Sequence, residues 1–188
     1  MLQPATHSQL SVAEYLTREE GAECRHEYVN GQLYAMTGAS RAHNLICMNI
    51  GAALRPRLRG TPCQLFANDM KLYLQINKQD IFYYPDLLLT CDPNDRQTYY
   101  CTAPGLLIEV LSDSTERIDR REKLWAYQTL PSLTAYWLVA QHQPRLEIYR
   151  RSNQWQMESI TSGEVRVEAL DLAVSLDTIY EDVLVPGL

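Results

Sequence analysis

Two apolar segments in the middle of the chain each carry a single acidic residue, and this pair constrains the fold more than any other feature. The first spans residues 85–89 (PDLLL), and the second spans residues 106–111 (LLIEVL). A carboxylate inside a buried strand is unfavourable by several kcal/mol unless a cation or good hydrogen bonds compensate it. Together with a lysine in the next helical segment, Asp86 and Glu109 indicate a site for a metal and an anion.

The hydrophobic pattern predicts an alternation of helices and strands. Helices are expected at 12–16, 40–58, 115–130 and 176–180, and strands at 63–74, 81–90, 106–111, 136–139 and 165–167, with hairpins at Asn30-Gly31 and at 145–160. Ser11 and Glu14 have the spacing of a helix capping box. This order indicates an α/β fold with an α+β mixed sheet, whose central strands are covered by helices. One domain is expected to span residues 1–188, because that length fits a single domain.

Composition and charge argue against two classes of protein. The chain has no apolar run near the ~18–20 residues that a membrane span requires, and residues 1–10 lack the apolar core of a signal peptide. We therefore expect no membrane association and a cytoplasmic location. The net charge of −6 argues against tight, non-specific binding of nucleic acid through a basic surface. It leaves room for an enzyme that meets a polyanion through a local basic patch and a metal ion.

The five cysteines, Cys24, Cys47, Cys63, Cys91 and Cys101, are odd in number and irregular in spacing. None forms a Cys-x-x-Cys pair, so the pattern supports neither a zinc ribbon nor a disulfide framework. We expect reduced thiols.

The chemistry of Asp86 and Glu109 favours magnesium or manganese. Asp86 follows a proline at the start of a strand, which places its carboxylate near the rim of a sheet. Side chains alternate along a strand, so Glu109 shares a face with Leu107 and Leu111. If the two strands are neighbours, both carboxylates can reach one Mg²⁺, which commonly takes one or two carboxylates plus substrate phosphates. The backbone carbonyl of Val110 is a candidate for a further ligand.

Lys123 is the candidate cation of the site. It lies four residues from both Asp119 and Tyr127, so all three share one helix face. A lysine beside a metal can contact a scissile phosphate and help to position a water whose pKa the metal lowers. The alternative interpretation is a solvated helix face, or a simple ion pair between Lys123 and Asp119.

The ordered set of these residues resembles the PD-(D/E)XK restriction-endonuclease-like superfamily, and more specifically its Uma-type family, formerly a domain of unknown function. The resemblance covers about residues 11–139 and rests on 27–31 (EYVNG), His43, 84–86 (YPD), 109–112 (EVLS), Lys123 with Tyr127, and 136–139 (YWLV). In one departure from the superfamily pattern, Leu111 stands two residues after Glu109, where the consensus has lysine. The resemblance implies that the lysine has moved to the following helix as Lys123.

The resemblance also implies a restriction-endonuclease-like core with a C-terminal β-hairpin extension, and a role for each residue. Asp86 and Glu109 would be metal ligands, Lys123 the contact to phosphate and water, and Glu27 a further carboxylate at the site. An exposed strand acid is the alternative for Glu27, since glutamate is usually exposed.

Four further residues are candidates to support the site. His43, near a helix start, could contact a phosphate or the water network, or could be an ordinary half-buried histidine. Asp69 and Lys71 share a strand face by parity, and the alternative for them is a cross-strand ion pair. Tyr127 is equally consistent with core packing.

Three functions are compatible with this pattern. The first is a Mg²⁺- or Mn²⁺-dependent endonuclease that hydrolyses phosphodiester bonds in DNA. The second is a catalytically inactive interaction module that kept the nuclease fold, and the third is a metal hydrolase of small phosphate esters. We also expect a homodimer, because the C-terminal hairpin and an exposed Trp155 would offer an apolar surface.

Overall fold

The computed structural model describes residues 10–36 and 38–184. The helices are α1 (Val12–Glu20), α2 (Arg41–Leu54), α3 (Glu116–Ile118), α4 (Leu124–Gln128) and α5 (Leu176–Ile179), and short 3-10 helices occur at Arg55–Leu58, Arg151–Asn153 and Glu168–Leu170. A π-helical turn at Asp119–Lys123 joins α3 to α4. We call the continuous segment 116–128 the lysine helix.

Within the described residues, thirteen strands form two main sheets and a separate hairpin. They are β1 (His26–Val29), β2 (Gln32–Ala35), β3 (Gln64–Ala67), β4 (Lys71–Ile76), β5 (Gln79–Tyr83), β6 (Leu87–Thr90), β7 (Tyr100–Cys101), β8 (Pro104–Val110), β9 (Ala135–Val139), β10 (Leu146–Arg150), β11 (Met157–Ile160), β12 (Glu164–Val167) and β13 (Leu172–Ser175). The six-stranded sheet has the order β11-β10-β9-β8-β6-β3, and the five-stranded sheet has the order β2-β1-β5-β4-β7. In the six-stranded sheet β8 and β9 are parallel and the other pairs are antiparallel, so the prediction of a mixed sheet is confirmed.

The central strand β8 has a hydrophobic core on each face. Ile108 and Val110 belong to the core that also includes buried residues of α2, whereas Leu107 and Leu111 belong to the core that includes Tyr127 of the lysine helix. The alternation predicted for β8 is therefore confirmed. It directs Glu109 to the side of the sheet covered by the lysine helix.

Two segments that the pattern predicts as single strands are in fact divided between the sheets. The chain leaves β3 of the six-stranded sheet for β4 of the five-stranded sheet at residues 68–70, and it returns from β5 to β6 at residues 84–86. Asn68 has a φ of 56°, a left-handed conformation that asparagine tolerates. Its N–H donates to the carbonyl of Asp86 at 3.0 Å, so the two crossings lie side by side. The predicted common strand for Asp69 and Lys71 is thus wrong.

The expectation that all five thiols are reduced is also wrong. Cys63 precedes β3 and Cys91 follows β6, and the two form a disulfide. Because Gln64 of β3 pairs with Thr90 of β6, the flanking cysteines meet at the end of this ladder. Their separation of 28 residues gave no local signal. Cys24, Cys47 and Cys101 are free, as expected.

The C-terminal hairpin extends the six-stranded sheet beyond β9. Strand β10 pairs antiparallel with β9, and β11 pairs with β10. Trp155 precedes β11 but is half-buried, with the Arg151 guanidinium 5.0 Å from its ring centroid. The exposed aromatic surface expected at Trp155 is therefore absent there. Within residues 10–36 and 38–184 no helix has the length and apolar character needed to cross a membrane.

Candidate active site

Lys123 is the centre of a buried ion cluster. Its Nζ lies 3.0 Å from Glu109 Oε1, 3.0 Å from Glu27 Oε1 and 3.3 Å from Asp119 Oδ1. The lysine is only 5% exposed, so a solvated helix face is excluded. The ion pair with Asp119 exists, but it is one contact of three. The π-helical turn lies at residues 119–123, and such turns are frequent at functional sites.

Electrostatics keep Lys123 charged. Burial by itself lowers the pKa of the Lys123 ammonium, but Glu109, Glu27 and Asp119 oppose this and raise the pKa well above its usual value. The side chain therefore remains a proton donor at neutral pH. It is suited to contact an anionic oxygen and is unsuited to act as a general base.

Glu109 is held on both carboxylate oxygens. Its Oε1 accepts hydrogen bonds from Lys123 and from the Tyr127 hydroxyl, each at 3.0 Å, and its Oε2 accepts the backbone N–H of Asp86 at 3.4 Å. Burial raises the pKa of Glu109 well above its ordinary range; Lys123 opposes this, while nearby acids add to it. Tyr127 is thus part of the site as well as of the core.

Asp86 lies at the crossing between the two sheets. The Val110 N–H donates to Asp86 Oδ2 at 2.7 Å, and His43 Nε2 lies 3.0 Å from the same oxygen. Among the described residues, hydrogen bonds reach Oδ2 and none reaches Oδ1. Oδ1 is therefore open to a ligand in the cleft.

His43 is itself held in place on α2. Ser40 caps this helix, and Cys47 lies one turn after His43 with its Sγ 3.7 Å from Nδ1. Burial raises the pKa of the Cys47 thiol, so it keeps its proton and can donate to Nδ1. With a proton on Nε2, the His43 imidazole donates to Asp86 and can accept from the thiol at Nδ1.

These residues line one cleft with a volume of about 780 Å³. Its lining includes Glu27, His43, Asp86, Glu109, Asp119 and Lys123. Glu27, Glu109 and Asp119 contact the one ammonium, and Asp86 adds a further carboxylate to the lining of the cleft, so acidic groups outnumber the cation. The buried Asp119 Oδ1 has no hydrogen bond of good geometry despite its proximity to Nζ. This set of hard oxygen donors with excess negative charge fits Mg²⁺ or Mn²⁺.

Two of the candidate supporting residues lie at the edge of the site or outside it. Asp69 lines the cleft but forms a surface ion pair with Arg25 at 3.2 Å. The Lys71 ammonium lies instead near the rings of Tyr84 and Tyr99, with 5.4 Å and 6.0 Å to their centroids. The partner of Asp69, Arg25, precedes β1, and Lys71 takes part in no ion pair among the described residues, so neither forms the cross-strand ion pair of the alternative interpretation.

Sequence reasoning missed three residues that shape the site. Asp119 was considered only as a helix-surface partner of Lys123, and Cys47 only as a thiol. Glu19 is buried and accepts hydrogen bonds from the Tyr84 hydroxyl at 3.0 Å and from the His26 N–H at 2.7 Å, and so fixes the segment that precedes Asp86. The spacing Asp119-x3-Lys123 was the only available signal, because the other contacts join distant parts of the chain.

Comparisons with known proteins place the chain in a family. Residues 12–178 match the Uma2 family model, described as a putative restriction endonuclease. The uncharacterized protein slr1290 of Synechocystis sp. is 34% identical over 180 residues, which is 94% of each chain. The uncharacterized protein sll1609 of the same organism is 31% identical over 173 residues, 89% of this chain and 97% of that protein.

One solved structure shows the same fold. It is the crystal structure of a putative nuclease belonging to DUF820 from Anabaena variabilis, with a TM-score of 0.69 and 16% sequence identity. The match covers 92% of this chain and 98% of that chain. The family model spans most of the sequence, so the chain belongs to the Uma2 family of restriction-endonuclease-like proteins.

Proposed function

We propose that this member of the Uma2 family is a metal-dependent endonuclease that hydrolyses phosphodiester bonds in DNA with Mg²⁺ or Mn²⁺. Family membership supports a nuclease role. The observation that carries the finer proposal is the contact of Lys123 Nζ with Glu109 and Glu27 in the cleft that Asp86 also lines. It supports a role for Lys123 in place of the lysine missing after Glu109, because the lysine helix brings the ammonium to within 3.0 Å of the Glu109 carboxylate.

Each residue has a distinct role in this proposal. Asp86 offers its open Oδ1 to the metal, and Glu109 offers lone pairs that its present hydrogen bonds leave unused. Glu27 adds a third carboxylate, while the carbonyl of Val110 remains a predicted ligand. A divalent cation bound there would activate a water and stabilise negative charge on phosphorus. The Lys123 ammonium would donate hydrogen bonds to a phosphate oxygen and to the attacking water.

Nicking of supercoiled plasmid DNA tests this function. We expect cleavage with Mg²⁺ or Mn²⁺, loss of cleavage with chelator, and a decrease of at least about 100-fold in Asp86→Asn, since removal of one charge-stabilising group costs about that factor. Asp182→Asn, at an exposed position, is the matched control. Equal cleavage by Asp86→Asn would show that another activity cuts the plasmid. No cleavage of any DNA would refute the proposal.

The second candidate is an interaction module without turnover, and one observation favours it. Both oxygens of Glu109 and the ammonium of Lys123 are already engaged with protein groups. Calorimetry separates the two functions, because a nuclease requires Mg²⁺ or Mn²⁺ binding that Glu109→Gln weakens. A small-phosphoester hydrolase instead predicts turnover of a chromogenic phosphodiester without nicking of DNA.

We extend the proposal to organisation and assembly. The site draws on residues from Glu27 to Lys123 and on both sheets, which supports a single domain over residues 1–188. A homodimer remains our prediction, although Met157 rather than Trp155 is the exposed apolar residue of the hairpin. Light scattering that gives the mass of two chains would support it. A cytoplasmic location likewise remains a prediction.

A further inference from the structure

Tyr34 is an exposed aromatic residue in the wall of the candidate active site. It is 55% exposed and lines the same cleft as Asp86 and Lys123. In the β1–β2 ladder it lies directly opposite Glu27. Residues directly opposite in an antiparallel pair share a face, with Cβ atoms about 4.5–5.5 Å apart. Glu27 contacts Lys123 at 3.0 Å, so the Tyr34 side chain neighbours a residue that is itself part of the ion cluster.

The Tyr34 ring does not pack into the hydrophobic core. Among the described residues it belongs to none of the three hydrophobic core clusters, whereas its neighbour Leu33 packs against one of them. Ala35, Met36 and Ala39 line the cleft beside it and extend an apolar surface there. A flat ring in such a wall can receive another flat ring.

The charged groups of the site are far more buried than Tyr34. Glu109, Asp119 and Lys123 are at most 5% exposed, so a phosphate must enter the cleft to reach them. The backbone of an intact duplex is held along a stiff rod, whereas an unpaired strand can bend into a cleft and turn its bases outward. The cleft volume of about 780 Å³ is in the range of pockets that enclose small molecules.

The charges of the cleft give little support to duplex binding. Non-specific affinity for duplex DNA comes mainly from lysine and arginine contacts to phosphates. Among the described residues that line the cleft, Arg25 and Lys123 are the permanently cationic ones, and both are paired with carboxylates. Binding energy must therefore come from another interaction. Stacking of bases on aromatic side chains supplies it without sequence preference.

We propose that the cleft takes an unpaired DNA strand, with one base stacked on the Tyr34 ring and the adjacent phosphodiester directed to Asp86 and Lys123. This inference rests on the proposed nuclease function and defines its substrate class. It predicts activity on single strands, flaps or frayed ends in preference to a continuous duplex.

Binding of a short fluorescein-labelled oligodeoxynucleotide tests the inference, with the strand alone or annealed to its complement. Anisotropy is measured with Ca²⁺, which also takes carboxylate oxygens and so neutralises the acids of the cleft, and electrophoresis of the recovered strand verifies that it is uncleaved. We expect the wild type to bind the single strand more tightly than the duplex. Tyr34→Ala should weaken single-strand binding by about 5- to 150-fold, and Tyr34→Trp should preserve it, because stacking contributes energy of that order per base. Tyr99→Ala is the matched control, since Tyr99 is 53% exposed and outside the cleft lining.

Two results would overturn this inference. One is duplex binding by the wild type that equals or exceeds single-strand binding, and the other is a Tyr34→Ala protein that binds the single strand as well as Tyr99→Ala does. A parallel nicking assay separates this failure from failure of the nuclease proposal. Metal-dependent cleavage that is indifferent to Tyr34 would leave the nuclease standing and remove the unpaired-strand substrate. Tyr34-dependent binding without any cleavage would keep the binding site and remove the nuclease.

Discussion

Replacement of Lys123 by methionine removes the charge at the centre of the ion cluster while keeping an apolar stem of similar length. The Nζ lies within 3.3 Å of oxygens of Glu109, Glu27 and Asp119. Of these three acids, Glu109 and Asp119 are almost fully buried. Removal of one partner from a buried ion pair typically costs about 3–5 kcal/mol. We expect the free energy of unfolding of the metal-free Lys123→Met protein to fall by that amount at neutral pH.

Urea denaturation in chelator measures this loss. Mildly acidic pH should restore part of the stability, because protonation of Glu109 removes one of the repelling charges. The double variant Lys123→Met/Glu109→Gln should be more stable than Lys123→Met alone for the same reason. Lys78→Met, in an exposed turn, is the control and should change stability by less than about 0.5 kcal/mol. A loss below about 1 kcal/mol in Lys123→Met would refute the view that its ammonium neutralises a buried cluster.

The same contacts predict responses to pH, metal and single-atom changes. Burial raises the pKa values of Glu109 and Asp119, so the folded protein binds protons more tightly than the unfolded chain does. The stability of the metal-free protein should therefore fall as pH rises from the ordinary carboxylate range through the raised pKa values, and thermal melts at a series of pH values measure this. Mg²⁺ at about 100 times its Kd should add about 2.7 kcal/mol to the free energy of unfolding at neutral pH. Tyr127→Phe removes a 3.0 Å hydrogen bond to a charged acceptor and should cost about 1.5–3 kcal/mol in urea denaturation. Asp86→Ala should mix the Nε2–H and Nδ1–H tautomers of His43 in ¹⁵N NMR spectra because Nε2 loses its carboxylate acceptor, whereas Cys47→Ala should keep the Nε2–H form.

Controls for these outcomes are available on the same chain. Tyr99→Phe removes an exposed hydroxyl, and Cys101→Ser changes a buried thiol away from the cleft. Stability that rises with pH in chelator, or a Mg²⁺ effect that survives Asp86→Asn, would contradict the cluster as described. A His43 tautomer that is unchanged in Asp86→Ala would show that the carboxylate does not set it.

Local features of the fold could be predicted because local sequence determines them. Ser11 and Glu14 form the capping box at the start of α1. Asn30 and Gly31 adopt φ values of 47° and 89°, as a tight hairpin turn requires. The face of Glu109 followed from simple alternation along β8. Asp86 stood out as an acid beside an apolar strand and Lys123 as a lysine of the next helix; the family resemblance then implied their roles, and the structure brings both into one cleft.

Other features depend on contacts between distant segments. The hydrophobic pattern continues through Asn68 and through Pro85, so it does not reveal that the chain changes sheet at both places. Asp119 has the spacing of an ordinary surface ion pair, and its burial results from the packing of the lysine helix against β8. The disulfide between Cys63 and Cys91 depends on the pairing of β3 with β6, which a local pattern does not encode.

Diffraction from crystals soaked in Mn²⁺, recorded with the anomalous signal of manganese, tests the metal centre most directly. We expect an anomalous peak in the cleft within bonding distance of Asp86 Oδ1 and of a Glu109 oxygen, about 2.0–2.1 Å for the corresponding Mg²⁺ ligands. The peak should disappear in Asp86→Asn crystals soaked in the same way. A wild-type cleft without a peak, or a peak that does not involve Asp86 and Glu109, would contradict the proposed metal site.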